Sequence, residues 1–295
     1  MSGYQGMKAS LMSKLSRPSV VFVSGCFDDI KTNQIRFLQE ASNLGRVHVL
    51  LFSDKTCDSL HGNQPKYPET ERRYYLEAIR YVDRLTLIDR VLSTGEIPHM
   101  DGMLKDLPAQ PIWAVQEADA NSSQREYCAM HGMQYQVIPQ KALSGFPIEN
   151  IHTPPDISGK KKVIVSGCFD WVHSGHIRFF EEVSEFGDLY VVIGHDENLK
   201  LLKGEGHPLF QQDERRYWVQ SIRFVKEALI SSGNGWLDAE PEILKVKPDI
   251  YAVNEDGDKP EKRNFCLEHG IEYKVLKRQP KPGLPVRISS ELRGF

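Results

Sequence analysis

A chain of 295 residues with 40% hydrophobic and 26% charged side chains has the balance of a folded domain protein, and it excludes collagen-like, fibrous and disordered classes. Thirty-seven basic against 40 acidic side chains leave a net charge of −3, so nothing in the charge calls for a nucleic acid partner. No stretch approaches the roughly 18 consecutive apolar residues of a membrane span, and the length favours two domains.

Residues 1–18 contain no acid and no apolar segment of the secretory kind, which reads as a disordered tail. From there the chain repeats itself. Laying residues 21–45 over 163–187 gives 13 identities in 25 positions: VxVSGCFD, then IRF, then Glu, Ser and Gly. Further on, Glu71-Arg72-Arg73-Tyr74 falls on Glu214-Arg215-Arg216-Tyr217, Trp113-Ala114-Val115 on Tyr251-Ala252-Val253, and Cys128 on Cys266. A period near 140 residues is too long for a solenoid unit, so each copy is a domain. The copies occupy residues 19–150 and 161–295, joined by a Pro- and Gly-containing linker at 151–160. Five widely spaced cysteines without a CxxC pair argue against a disulfide framework or a structural zinc site, and fit a reducing, cytoplasmic setting.

Within the second copy the pattern runs strand (162–166), helix (176–186), strand (189–193), helix (213–225), strand (228–231), strand (250–253), helix (261–269) and strand (272–276). Strands alternating with helices at this spacing predict an α/β fold. The expected architecture is two tandem Rossmann-like domains, each a doubly wound parallel sheet. A ligand in such a fold sits at the carboxyl ends of the strands.

At the end of the first strand of copy two stands Gly167-Cys168-Phe169-Asp170-Trp171-Val172-His173-Ser174-Gly175-His176, running into a helix. Two imidazoles and unpaired backbone N–H groups at a helix start suit phosphate. This segment resembles the cytidylyltransferase-like nucleotidyltransferase superfamily, whose G-x-F-D-x-x-H-x-G-H signature it matches at every fixed position. The resemblance extends to Lys203-Gly204, to Glu214-Arg215-Arg216-Tyr217 followed by Val219-Gln220, and to Arg287-Ile288-Ser289-Ser290, which resembles the end of an R-x-x-G-I-S-T motif. Here Arg287 abuts Ile288 directly, a departure that leaves the role of Arg287 open.

The resemblance implies transfer of a nucleotidyl group from a triphosphate to a phosphorylated alcohol, with Mg²⁺ accompanying the triphosphate. It implies catalytic roles for His173, His176, Lys203 and Arg215. Nucleotide contacts are implied for Gly167, Cys168, Phe169, Asp170, Gly175, Asn254, Asp256, Ile288, Ser289 and Ser290. CTP is favoured over ATP, with phosphoethanolamine, phosphocholine or glycerol-3-phosphate types as acceptor. The alternatives are an ATP-dependent adenylyltransferase acting on a sugar phosphate and a non-catalytic nucleotide-binding regulator. The metal ligands stay unassigned.

In copy one the signature histidines and glycine become Lys31, Asn33 and Gln34, so that copy is expected to keep the fold and lose the chemistry. The resemblance to two-domain ethanolamine-phosphate cytidylyltransferases implies that the copies form an internal pseudo-dimer, with a further homodimer left open.

Overall fold

The computed structural model describes residues 19–93, 95–100, 102–105, 107, 109–147 and 159–292. The expected tail and linker residues 151–158 lie outside the described residues. The chain divides into two compact units, one of Met1–Arg73 with Tyr81–Ser144, the other of Tyr74–Arg80 with Gly145–Phe295.

The first unit carries β1 (Val20–Gly25), α1 (Thr32–Ser42), β2 (Arg46–Phe52), α2 (Asp54–His61), the start of α3 (Glu69–Ala78), β3 (Val82–Ile88), β4 (Ile112–Gln116), α4 (Ser122–Met130) and β5 (Gln134–Ile138). Its five strands are parallel, in the order β3-β2-β1-β4-β5. The second unit carries β6 (Lys162–Gly167), α5 (Ser174–Ser184), β7 (Asp188–Ile193), α6 (Asp196–Lys203), α7 (Gln212–Gln220), β8 (Val225–Ile230), α8 (Glu240–Val246), β9 (Ile250–Asn254), α9 (Pro260–Glu268), β10 (Glu272–Leu276) and α10 (Ser289–Leu292). Its order, β8-β7-β6-β9-β10, is the same topology. Both units are therefore α/β, Rossmann-like domains with parallel sheets.

The central strand reads as an unbroken apolar run because helices cover both of its faces: Val163, Ile164 and Val165 are all fully buried. From β6 the chain builds outward to β7 on one side and returns to β9 on the other. The carboxyl ends of β6 and β9 thus flank the crevice where a ligand belongs. One repeated glycine has a direct structural cause. A Cβ on Gly187 would lie 2.1 Å from the Lys161 carbonyl oxygen, and one on Gly45 would lie 2.2 Å from that of Ser19.

Three sequence expectations need correction. The helix expected over 213–225 stops at Gln220, and Val225 opens β8. Gln220 supplies the reason: its Oε1 accepts from Ala228 N at 2.7 Å and its Nε2 donates to Lys226 O at 3.1 Å, clamping the strand to the helix end. Helices α6 and α8 fell between the periodic stretches and are short, at eight and seven residues. Finally, Cys26 and Cys57 form a disulfide with Cα atoms 5.8 Å apart, linking the end of β1 to α2. Thirty-one residues separate them, so spacing alone did not pair them. In the second copy the matching positions are the free Cys168 and Leu199.

Candidate active site

At the carboxyl ends of β6 and β9 lies a cavity of about 260 Å³. Its walls hold Gly167, Cys168, Phe169 and Asp170 from the β6 turn, His173, Gly175 and His176 from the start of α5, Lys203, Asn254, Asp256 and Ser289. Most of the residues expected from the sequence thus meet in one place. Ile288 does not line it and is 42% exposed, and the Ser290 side chain is outside the described set.

The two histidines are held by the helix start itself. His173 is the N-cap of α5, and its Nδ1 accepts from Gly175 N at 3.1 Å. That bond leaves the proton on Nε2, which donates to Ser289 Oγ at 3.1 Å. Gly175 is needed for this pose, because a Cβ there would stand 2.9 Å from His173 Cε1. The two imidazole rings lie 4.0 Å apart between centroids. His176 Nδ1 is enclosed and has no partner among the described residues, while the residue itself is only partly covered and faces the cavity.

Burial, then the neighbouring His176, Arg278 and Arg287, pushes the His173 pKa down to about 2, and burial with Arg278 and Lys203 pushes His176 down to about 3. Both rings are therefore neutral in the free protein. The unfolded chain would take up these protons near pH 6.5 and the folded chain resists them. Stability is accordingly full above that value and is lost as pH falls from 6.5 toward about 3. Histidine Cε1–H resonances followed by NMR from pH 8 to 5 should show no protonation shift for His173 and His176. A midpoint above pH 5.5 for either ring would contradict the burial argument.

Two cations in the cavity wall were not singled out from the sequence. Arg278 stands beside the histidines, held by Asp256 at 2.6 Å, and Lys262 lines the same wall with Nζ donating to Gly257 O at 3.2 Å. Burial lowers the Lys262 pKa. A signal existed: 138 residues earlier the first copy has Gln140 and Gln124 at these positions, so both cations are peculiar to the copy that keeps its histidines.

Arg215 has a different use from the phosphate contact expected of it. It is fully buried, and its guanidinium is consumed by Phe210 O (2.8 Å), Cys168 O (2.7 Å), Gly194 O (2.8 Å) and Asp196 Oδ1 (2.7 Å). Its counterpart Arg72 makes the equivalent set with Tyr67 O, Cys26 O, Phe52 O and Asp54 in the copy that lacks the two signature histidines. A residue kept identically with and without the site braces the fold. Asp170 follows the same logic. Its Oδ1 accepts from Leu209 N and Phe210 N at 2.8 and 3.0 Å, as Asp28 accepts from Lys66 N and Tyr67 N in the first copy. It orders the segment beneath the cavity wall.

A parallel α/β sheet with neutral imidazoles, three cations and a helix start around one crevice has the chemistry that suits phosphate. The cytidylyltransferase-like family matches residues 164–263. An FAD synthase of Ferroglobus placidus is 34% identical over 134 residues, which span 45% of this chain and 85% of that protein. The bifunctional protein HldE of Campylobacter concisus is 36% identical over 111 residues but is spanned only to 23% of its length. Among solved structures, a lipopolysaccharide core biosynthesis protein from Thermoplasma volcanium is 25% identical with a TM-score of 0.35, covering 42% of this chain and 99% of that one. The chain belongs to the cytidylyltransferase-like nucleotidyltransferases.

No group of three or more His, Cys, Asp or Glu side chains is placed to hold a metal ion among the described residues, and no described helix is long and apolar enough to cross a membrane.

Proposed function

We propose that the second unit transfers a nucleotidyl group from a nucleoside triphosphate, CTP first, to the phosphate of a small phosphorylated alcohol. The observation that carries this reading is the convergence of His173, His176, Lys203, Lys262 and Arg278 on one cavity. An oxygen of the acceptor phosphate forms a bond to the α-phosphorus. The bond from that phosphorus to the oxygen bridging to the β-phosphorus breaks, and pyrophosphate leaves. The nucleophile is already anionic, so no base is required, and the work left to the protein is alignment and charge neutralisation.

Neutral His176 supplies an N–H donor to a phosphate oxygen, His173 holds Ser289 and the helix start in place beside it, and the three cations offset the repulsion between two anions. A divalent cation such as Mg²⁺ would ride on the triphosphate, because the nearby carboxylates are spent: Asp170 on backbone N–H groups and Asp256 on Arg278. The reading carries a cytoplasmic setting and an internal pseudo-dimer of the two copies as parts of the proposal.

A second reading uses ATP. It is favoured by the relatives named FAD synthase, since FAD joins a flavin phosphate to an adenosine phosphate. Pyrophosphate release with Mg²⁺ discriminates, crossing CTP, ATP, GTP and UTP against phosphoethanolamine, phosphocholine, glycerol-3-phosphate, flavin mononucleotide and sugar phosphates. Turnover with CTP and a phospho-alcohol is expected. Turnover only with ATP would select the second reading, and nucleotide binding with no turnover on any acceptor would favour a regulator.

A further inference from the structure

The first unit has a cavity at the matching place, at the carboxyl ends of β1 and β4, and it is the larger of the two at about 550 Å³. That falls within the range of about 300–1,000 Å³ usual for small-molecule sites. Its chemistry is not that of a triphosphate site. Where the second unit has His176, Lys203 and Lys262, this one has Gln34, His61 and Gln124. Among the described residues no lysine or arginine lines it, and Glu96 and Asp119 stand in its wall. Carboxylates without a balancing cation repel a polyphosphate and leave room for an uncharged molecule.

The polar groups in the wall are arranged for recognition. Gln124 is 95% buried, and its Oε1 accepts from the Tyr135 hydroxyl at 3.0 Å, leaving the amide NH₂ without a partner among the described residues. Gln34 Oε1 accepts from Lys31 N at 2.6 Å and Gln116 Oε1 from Asn33 Nδ2 at 3.2 Å, so their NH₂ groups are unspent in the same way. Aromatic rings of Phe27, Phe37, Phe52 and Trp113 complete the wall. Carboxamide donors among aromatic faces are the chemistry that recognises the edge and face of a planar heterocycle.

We propose that this cavity binds an uncharged nucleoside and so gives the chain a second ligand site distinct from the transferase centre. The nucleoside identity rests on the transferase reading, through the repeat. The backbone walls Gly25-Cys26 and Ala114-Val115 match Gly167-Cys168 and Ala252-Val253, while the phosphate-facing side chains have been replaced.

The test is calorimetric titration of the full-length protein with cytidine, adenosine, guanosine and uridine, which needs no turnover. Ala118 is exposed on the turn after β4 and lines the cavity, so Ala118→Trp fills it without displacing a buried group. Gln124→Leu removes the buried donor and serves if the tryptophan variant fails to fold, as read by its melting temperature.

At least one nucleoside is expected to bind the wild type and His176→Ala equally, and to weaken at least about tenfold in Ala118→Trp or Gln124→Leu. Failure of all four nucleosides to bind the wild type would overturn the proposal. Binding abolished by His176→Ala and kept by both first-unit variants would do the same, by placing the nucleoside in the second unit. A chain inert in every pyrophosphate assay that still binds a nucleoside in the cavity would sink the transferase reading alone.

Discussion

His176→Ala should lower turnover at least about 10³-fold while the protein stays folded, the scale expected when a preorganised donor facing a developing phosphoryl charge is lost. His176 makes no hydrogen bond through its Nδ1 among the described residues, so its removal leaves no partner stranded. His173→Ala should cost a similar factor, plus a small loss of stability, because it also caps α5 through Gly175 N and bonds Ser289. The control is Lys31→Ala, at the first-copy position that matches His173. Lys31 pairs with Asp29 at 3.0 Å on a partly exposed surface, and its loss should leave turnover within about twofold. Steady-state kinetics at saturating triphosphate decides. Equal losses in both copies would mean that both carry chemistry.

Arg215→Ala should unfold the second unit rather than disable a contact with phosphate. The change leaves the carbonyl oxygens of Cys168, Gly194 and Phe210 unpaired and opens a void in place of a fully buried side chain. It also deprives the partly buried Asp196 of its partner at 2.7 Å. Breaking one side of a buried charged pair typically costs about 3–5 kcal/mol. A thermal melt of the full chain should show the transition of the second unit lowered, and Arg72→Ala should do the same to the first. The opposite pattern, a normal melt with turnover collapsed, would return Arg215 to the phosphates.

Much of this was legible in the sequence. The two stretches of the repeat fold into sheets of the same strand order, and the apolar runs with helical stretches between them exposed the parallel sheet. Most residues of the signature from Gly167 to His176 meet at one cavity, as the sequence led one to expect, because spacing along one strand, turn and helix start is a local property. What escaped detection was non-local. Arg278 and Lys262 reach the cavity from distant elements, and only the contrast with Gln140 and Gln124 marks them. Arg215 shows the same comparison working in reverse. A residue shared with a copy that lacks the two signature histidines should be read as structural, and family motif alone hid that. The Cys26–Cys57 bridge depends on α2 folding back over the end of β1, which no spacing rule encodes.

The most direct test of the central claim is a count of triphosphate sites, made by titrating the full chain with the α,β-methylene analogues of CTP and ATP, which bind without turning over. One site per chain is expected, abolished or greatly weakened in Arg278→Ala and intact in Lys31→Ala. Two sites per chain, or a single site that survives Arg278→Ala, would contradict it.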